Sequence, residues 1–263
     1  MRRPRSPGPV DPPESFDNFA AGYDEFVTLE RRLRDDDWLT VLNLRGQRAL
    51  DAGCGSGHTT VQLATSFEHV VGFDLSAPLI HIARQRRPHP RVDYQISDLA
   101  DFDDPDGFDL VYSHTMLHHV ADYPAALCRL RSWVRPGGTA VVIDNVCDLY
   151  PTPPRWAYTH GALRDLPNDL RRLGPRDTWR LYRFRTSEPW LAHLASDRYL
   201  SRTQFRQLYN AVLPGARFHD LGFALAAIWT DPRRPPLDPP NQPDNQQARE
   251  RQPSTDAPTS DLI

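Results

Sequence analysis

Residues 49–58, Ala49-Leu50-Asp51-Ala52-Gly53-Cys54-Gly55-Ser56-Gly57-His58, constrain this chain more than any other stretch. An apolar strand runs straight into three alternating glycines, and the stretch from Thr59 to Phe67 that follows reads as a helix. Glycine leaves the backbone bare, so a ligand can press against the turn between strand and helix. The expected product is a nucleotide-shaped notch in an α/β sheet. A dinucleotide fingerprint, G-x-G-x-x-G, would require a third glycine at position 58, where this chain carries His58, so a dehydrogenase is disfavoured.

Short apolar runs then alternate with amphipathic stretches, the pattern of a parallel sheet covered by helices on both faces. Strands are expected at Arg48 to Ala52, His69 to Phe73, Arg91 to Ile96, Phe108 to Ser113, Thr139 to Asp144, Ala216 to Leu221 and Phe223 to Trp229. Helices are expected at Gly57 to Phe67, Pro78 to Arg87, Tyr123 to Trp133 and Arg202 to Leu213, the last opened by a capping box of Ser201 and Gln204. Only Gly222 separates the last two strands, too little for a parallel crossover, so they should form an antiparallel edge pair.

Of the 26 prolines, 5 lie in residues 1–14 and 8 in residues 231–263. The tail from 231 has almost no large apolar side chains to offset the entropy of ordering. The expectation is one domain over 15–230, flanked by a disordered N-terminal segment, 1–14, and a disordered proline-rich tail, 231–263. The formal charge of −3 is spread with both signs interspersed, which argues against a general polyanion binder. All 31 basic residues are arginine, so lysine Schiff-base chemistry is excluded. The three cysteines lack C-x-x-C spacing and fit a reducing, cytoplasmic setting. No segment approaches the roughly 18 apolar residues of a membrane span.

Further motifs stand in register with the glycine loop. The second expected strand ends at Asp74, 17 residues after Gly57, followed by Leu75; the carboxylate could bind a ribose diol or cap the next helix. The third ends in Ser97-Asp98-Leu99, and the fourth runs through Ser113-His114-Thr115-Met116 into Leu117-His118-His119. With Asp51-x-Gly53-x-Gly55-x-Gly57 and Arg135-Pro136-Gly137-Gly138, these resemble the ordered motifs of class I S-adenosylmethionine (SAM) dependent methyltransferases. The run from Phe16 to Asp24 resembles the F-D-x-x-A-x-x-Y-D pattern of ubiquinone- and menaquinone-type members of that superfamily. The resemblance implies a Rossmann-like, seven-stranded, mostly parallel sheet with an antiparallel edge hairpin and SAM as cofactor. It further implies that Asp51, Gly53, Gly55, Gly57, Ser113 and His114 form the cofactor site. Within it, Asp74 meets the ribose, Asp98 and Leu99 meet the adenine, Tyr23 covers the methionine end, and Leu75 also borders the cofactor. Phe16, Phe19, Tyr23 and Phe26 would equally suit an amphipathic helix packed on the fold.

His118 and His119 are the candidate general bases, since an unperturbed imidazole pKa of about 6.5 suits proton removal near neutrality; packing or support of the cofactor loop is the other reading. Adjacent side chains on a helix diverge by about 100°, so one at most should face the acceptor. With no acid at a useful spacing, no metal is expected. Residues 145–200 form a long insertion, expected to be a helical cap. Its aromatic residues (Trp156, Tyr158, His160, Trp179, Tyr182, Phe184, Trp190, His193 and Tyr199) are expected to wall an acceptor site. Its arginines could bind an anion or pair with Asp165, Asp169 and Asp177. Motif four lacks the Asn/Asp-Pro-Pro-Tyr run of amino-group methyltransferases, which disfavours a nucleic-acid amine. The expected enzyme methylates a small organic acceptor, most readily at oxygen, in secondary or quinone-type metabolism. A tRNA methyltransferase and a noncatalytic SAM-binding protein are the alternatives.

Overall fold

The computed structural model describes residues 16–33, 42–150 and 152–233. The expected disordered segment 1–14 and the tail from 234 onward lie outside the described residues. Seven strands make one sheet: β1 Gly46–Ala52, β2 Phe67–Asp74, β3 Val92–Ile96, β4 Phe108–His114, β5 Val134–Asn145, β6 Arg217–Asp220 and β7 Ala224–Thr230. Their order is β3-β2-β1-β4-β5-β7-β6. The first five pair in parallel, and β7 runs antiparallel to both β5 and β6. The short connection through Gly222 thus makes the expected hairpin.

Burial on both faces explains the apolar runs. Leu50, Val71, Phe73, Val111 and Val142 point into one core, closed by α4 (Tyr123–Ser132) and α8 (Arg202–Val212). Ala49, Val70, Leu110, Tyr112, Val141 and Ile143 point into the other. The alternation follows the two-residue period of strands. On the flank, α3 (Ala77–Arg86) starts from Ser76, whose hydroxyl accepts from the Leu79 amide, and α8 carries the expected Ser201–Gln204 capping box.

Two boundaries differ from the sequence reading. The helix after the glycine loop, α2 (His58–Leu63), stops at Leu63, because Phe67 is buried as the first residue of β2. The fifth strand starts at Val134 rather than Thr139, with a register shift opposite Phe108 and Leu110 that accommodates Pro136. Past the expected boundary at 230, Asp231 is buried, donates its amide to the Gly138 carbonyl at 2.9 Å and pairs with Arg233.

Three helices, α5 (Arg155–Leu173), α6 (Pro175–Arg185) and α7 (Glu188–Leu194), occupy the insertion, and the N-terminal α1 (Ala20–Leu33) packs against α5 and α6. The sheet order reverses at β1, whose neighbours β2 and β4 depart in opposite directions. A crevice therefore opens beyond the carboxyl ends of β1 and β4, where such sheets bind ligands. The helices of the insertion and α1 roof it.

Candidate active site

Two cavities share that crevice. The smaller, about 290 Å³, is lined by Gly53, Asp74, Leu75, Asp98, Leu99 and Met116 among others. The larger, about 560 Å³, includes Asp51, His58, His118, Tyr158, His193 and Asp197. Phe16, Tyr23, Gly53, Gly55, His114, Thr115 and His119 border both, so the two spaces meet over the end of the glycine loop.

The loop is shaped by backbone constraints. Gly53 has φ +73° and a Cβ there would lie 2.5 Å from Met116 Cγ, so only glycine lets the end of β1 approach Met116, two residues past β4. Gly57 has a different job from the one expected. It lines neither cavity; its φ of +85° and the Tyr94 hydroxyl, 2.5 Å from an added Cβ, demand glycine for packing. Ser113 also lies outside both cavities, buried in β4 between β1 and β5. Strand alternation explains this, because its neighbour His114 is the one that reaches the opening.

Asp74 accepts the Gly55 amide at 2.8 Å on one oxygen and the Ser76 amide at 2.9 Å on the other. Each carboxylate oxygen retains a lone pair, and the group borders the smaller cavity. Burial pushes the Asp74 carboxyl up, against the pull of those two amides. Leu75 beside it is 44% exposed, an apolar edge at the cavity mouth. Asp98, at the far end, is exposed and accepts the Ala100 amide at 2.7 Å, while Leu99 packs against the main core. Asp51 is buried, accepts from Thr60 Oγ1 at 2.6 Å, and is pushed by that burial up to about 7.

Tyr23 lies above Gly55, its Cε1 3.9 Å from the position of an added Cβ. Its ring belongs to an aromatic cluster with Phe16, Phe26 and Trp190, so α1 packs on the fold and also covers the loop. Asp24 pins that helix down: Arg86 Nη1 approaches one carboxylate oxygen at 2.6 Å and Arg87 Nη1 the other at 2.8 Å. His58 completes the clasp, with Nε2 accepting from Arg87 Nη2 at 2.5 Å and lying 3.2 Å from Asp24 Oδ1. Burial and the Arg87 charge bring the His58 pKa down to about 4, so the imidazole is neutral at physiological pH.

The larger cavity corrects the expectation that the two adjacent histidines point apart. Leu117–His119 is a 3₁₀ turn rather than an α-helix, and the two rings stand 4.0 Å apart between centroids. Both line the cavity. An acid also converges on them: His119 Nδ1 is 3.3 Å from Asp197 Oδ1 and His118 Nε2 is 3.8 Å from Asp197 Oδ2. Behind His118, Asp144 at the end of β5 is fully buried and holds Nδ1 on one oxygen and the Tyr123 hydroxyl on the other. Burial pushes the Asp197 carboxyl up, but His119 and the charges of His118 and His193 outweigh it and hold it below its ordinary value. Asp197 and Asp144 went unnoticed in the sequence; a strand-end acid like Asp74 was a readable signal for the second, whereas nothing local marks the first.

Of the nine expected aromatic walls, Tyr158, Trp190 and His193 line the larger cavity. Trp156 and Trp179 are exposed, and Phe184 packs against Phe26 and Trp190. The insertion's arginines are largely engaged: Arg185 contacts Asp169 and Glu30, Arg180 contacts Glu25, and Arg164 contacts Asp165. No helix among the described residues is long and apolar enough to cross a membrane.

Residues 49–138, from β1 into β5, match the family model described as "Methyltransferase domain". A phosphoethanolamine N-methyltransferase of Arabidopsis thaliana is 35% identical over 122 residues, covering 44% of this chain and 25% of the relative. An uncharacterized methyltransferase of Mycobacterium bovis is 37% identical over 107 residues, covering 40% of this chain and 54% of the relative. The matched segments thus span about half or less of these relatives' lengths. Among solved structures, a methyltransferase of Haloferax volcanii in complex with its activator superposes with TM-score 0.55 at 17% identity, over 86% of this chain and 99% of that one. A SAM-dependent methyltransferase of Mesorhizobium loti gives TM-score 0.51 at 21% identity, over 74% and 97%. Motif order and strand order agree with that match: residues 49–138 are a methyltransferase domain, on a sheet of the class I S-adenosylmethionine-dependent type.

Proposed function

We propose that this chain binds SAM across the smaller cavity and transfers its methyl group to an oxygen of a small organic acceptor held in the larger one. The observation that carries the reading is the junction of the two cavities at Gly53, Gly55, Tyr23 and His119. Bound SAM supplies a methyl group on a sulfonium, already an excellent leaving group. Asp74 accepts from the ribose hydroxyls through lone pairs the loop amides leave available. Leu99 contacts the adenine, Asp98 receives its amine, and Leu75 borders the mouth of the cofactor cavity. Tyr23 and α1 close over the methionine end and exclude water. Alignment of acceptor and methyl supplies about 7 to 11 kcal/mol in favourable cases. The imidazole–carboxylate cluster around Asp197 takes the acceptor's proton, a contribution of roughly 10² to 10⁴ in rate.

The domain occupies 15–230 in this reading, with 145–200 as the acceptor-binding cap. The engaged arginines favour a small molecule over RNA. An amine acceptor is the second reading, favoured by the phosphoethanolamine N-methyltransferase relative. Both are tested by incubating the full chain with methyl-deuterated SAM and a metabolite extract. A deuteromethyl ether or ester in the product supports the first and a deuteromethylamine the second; no methylated product, with SAM bound, overturns both.

A further inference from the structure

The cluster below the cap contains more than a proton acceptor needs. His118, His119 and Asp197 each place a ligand atom within 4.8 Å of the other two. His193 adds a third imidazole, Nε2 4.0 Å from Asp197 Oδ1. The four side chains come from three places: the turn after β4, helix α7, and the segment that follows it. We propose that these residues bind one divalent transition-metal ion, Zn(II) or a similar borderline cation, at the wall of the larger cavity.

Three observations support the site. The first is geometry. With metal–nitrogen bonds of about 2.0 to 2.1 Å, tetrahedral ligand atoms stand about 3.3 to 3.4 Å apart. The separations are 3.3 and 4.0 Å to Asp197 Oδ1 and 3.8 Å to Oδ2, with the ligand atoms of His118, His119 and Asp197 all within 4.8 Å of one another, so closing on an ion takes side-chain movements of about 1 Å. The second is orientation. Asp144 holds His118 Nδ1 and so turns Nε2 toward Asp197, the carboxylate–histidine arrangement that fixes the tautomer of a metal ligand. Tyr199 donates to Asp197 Oδ2 at 2.8 Å and fixes the carboxylate in the same way. The third is charge. Asp144 and Asp197 are 0% and 2% exposed, and one dication beside them balances both buried carboxylates.

Three imidazoles and one carboxylate make a tetrahedral set that zinc can expand to five ligands. All four residues line the larger cavity, where an oxygen donor of the acceptor, a hydroxyl or a carboxylate, would supply the fifth. A hydroxyl ligated there ionises at lower pH than a free one. This deepens the function proposed above and rests on it for the acceptor, whereas binding of the ion itself does not.

The experiment uses the tag-free full chain, stripped with chelator, dialysed against Zn(II) and analysed for metal, with Co(II) titrated separately as a spectroscopic probe. The expected result is one ion per chain and visible Co(II) ligand-field bands of a low-coordinate nitrogen–oxygen site. Asp197→Asn and His118→Gln should abolish those bands, and Asp144→Asn should weaken Zn(II) affinity about 10- to 100-fold. His160→Gln, on the exposed face of the cap, should bind as the parent does. Circular dichroism and SAM titration of every variant separate loss of the site from loss of the fold. A parent chain that retains no Zn(II), or ligand variants that are folded and retain it equally, overturns the inference. SAM binding without metal sinks the metal site alone; metal binding without SAM binding sinks the function and leaves the site.

Discussion

The two cavities are built by opposite strategies. The smaller is local: the glycine loop, Asp74 and Asp98 lie at the ends of adjacent parallel strands, and backbone amides set their geometry. The larger is assembled at a distance. His118 and His119 meet Asp197 across 79 and 78 residues of chain, through three helices of the insertion. A sheet edge presents a nucleotide site by topology alone, whereas a site built from an insertion depends on how that insertion folds back. In the function proposed above, the difference separates two tasks: cofactor binding in the geometry of the sheet and acceptor choice in the cap.

Four substitutions would break or sharpen that contrast. The largest effect is expected at Asp144, whose two oxygens each serve a buried partner. Hydrogen bonds to a charged group are each worth about 1.5 to 3 kcal/mol, so Asp144→Ala should lower stability by about 3 kcal/mol or more. Thermal unfolding measures this, and a change below 1 kcal/mol, by the same principle, would show that the cluster is loosely held. Asp74→Ala comes next. Losing its contacts to the ribose should cost about 2 to 3 kcal/mol, roughly 30- to 150-fold in SAM affinity, read by calorimetry. Unchanged affinity would remove Asp74 from the cofactor site.

Gly57→Ala should cost about 1 to 3 kcal/mol of stability through its φ of +85° and the approach of Tyr94. The folded fraction should still bind SAM, because Gly57 lines neither cavity. A selective loss of SAM binding at unchanged melting temperature would restore Gly57 as a ligand-contacting residue. The smallest effect is a pH dependence at the clasp of α1. The folded-state pKa of His58, about 4, lies below its ordinary 6.5. Its neutral form therefore contributes stability that is complete above pH 6.5 and is lost as pH falls toward 4. The stability advantage of the parent over His58→Gln should shrink on acidification, by about 1 kcal/mol at pH 6. An advantage that grows on acidification would mean His58 is charged in the clasp. Asp51, pushed up to about 7, runs the other way: its contribution is lost as pH rises from about 4 to 7, so the two groups partly mask each other.

The same contrast governs what could be read before folding. The strands, their edge hairpin and the Ser201 cap were legible because burial period, connection length and capping pattern act over a few residues. Asp74 was legible because parallel pairing of β1 and β2 puts the two strand ends side by side. Gly57 and Ser113 line neither cavity, since a motif says which residues are present and not which way each one points. The meeting of His118 and His119 with Asp197 was illegible for a different reason. It needs a 3₁₀ turn where an α-helix was expected and the return of a distant segment beneath α1. The aromatic walls were over-counted because Trp156 and Trp179 face outward from their helices.

The central claim is that the crevice above Gly53 and Gly55 is a SAM site organised by Asp74. Calorimetric titration of SAM into the folded full chain and into Asp74→Ala tests it most directly. The account predicts saturable one-to-one binding by the parent and binding weaker by at least about tenfold, 1.4 kcal/mol, in the variant. A folded parent chain that takes up no SAM would contradict it.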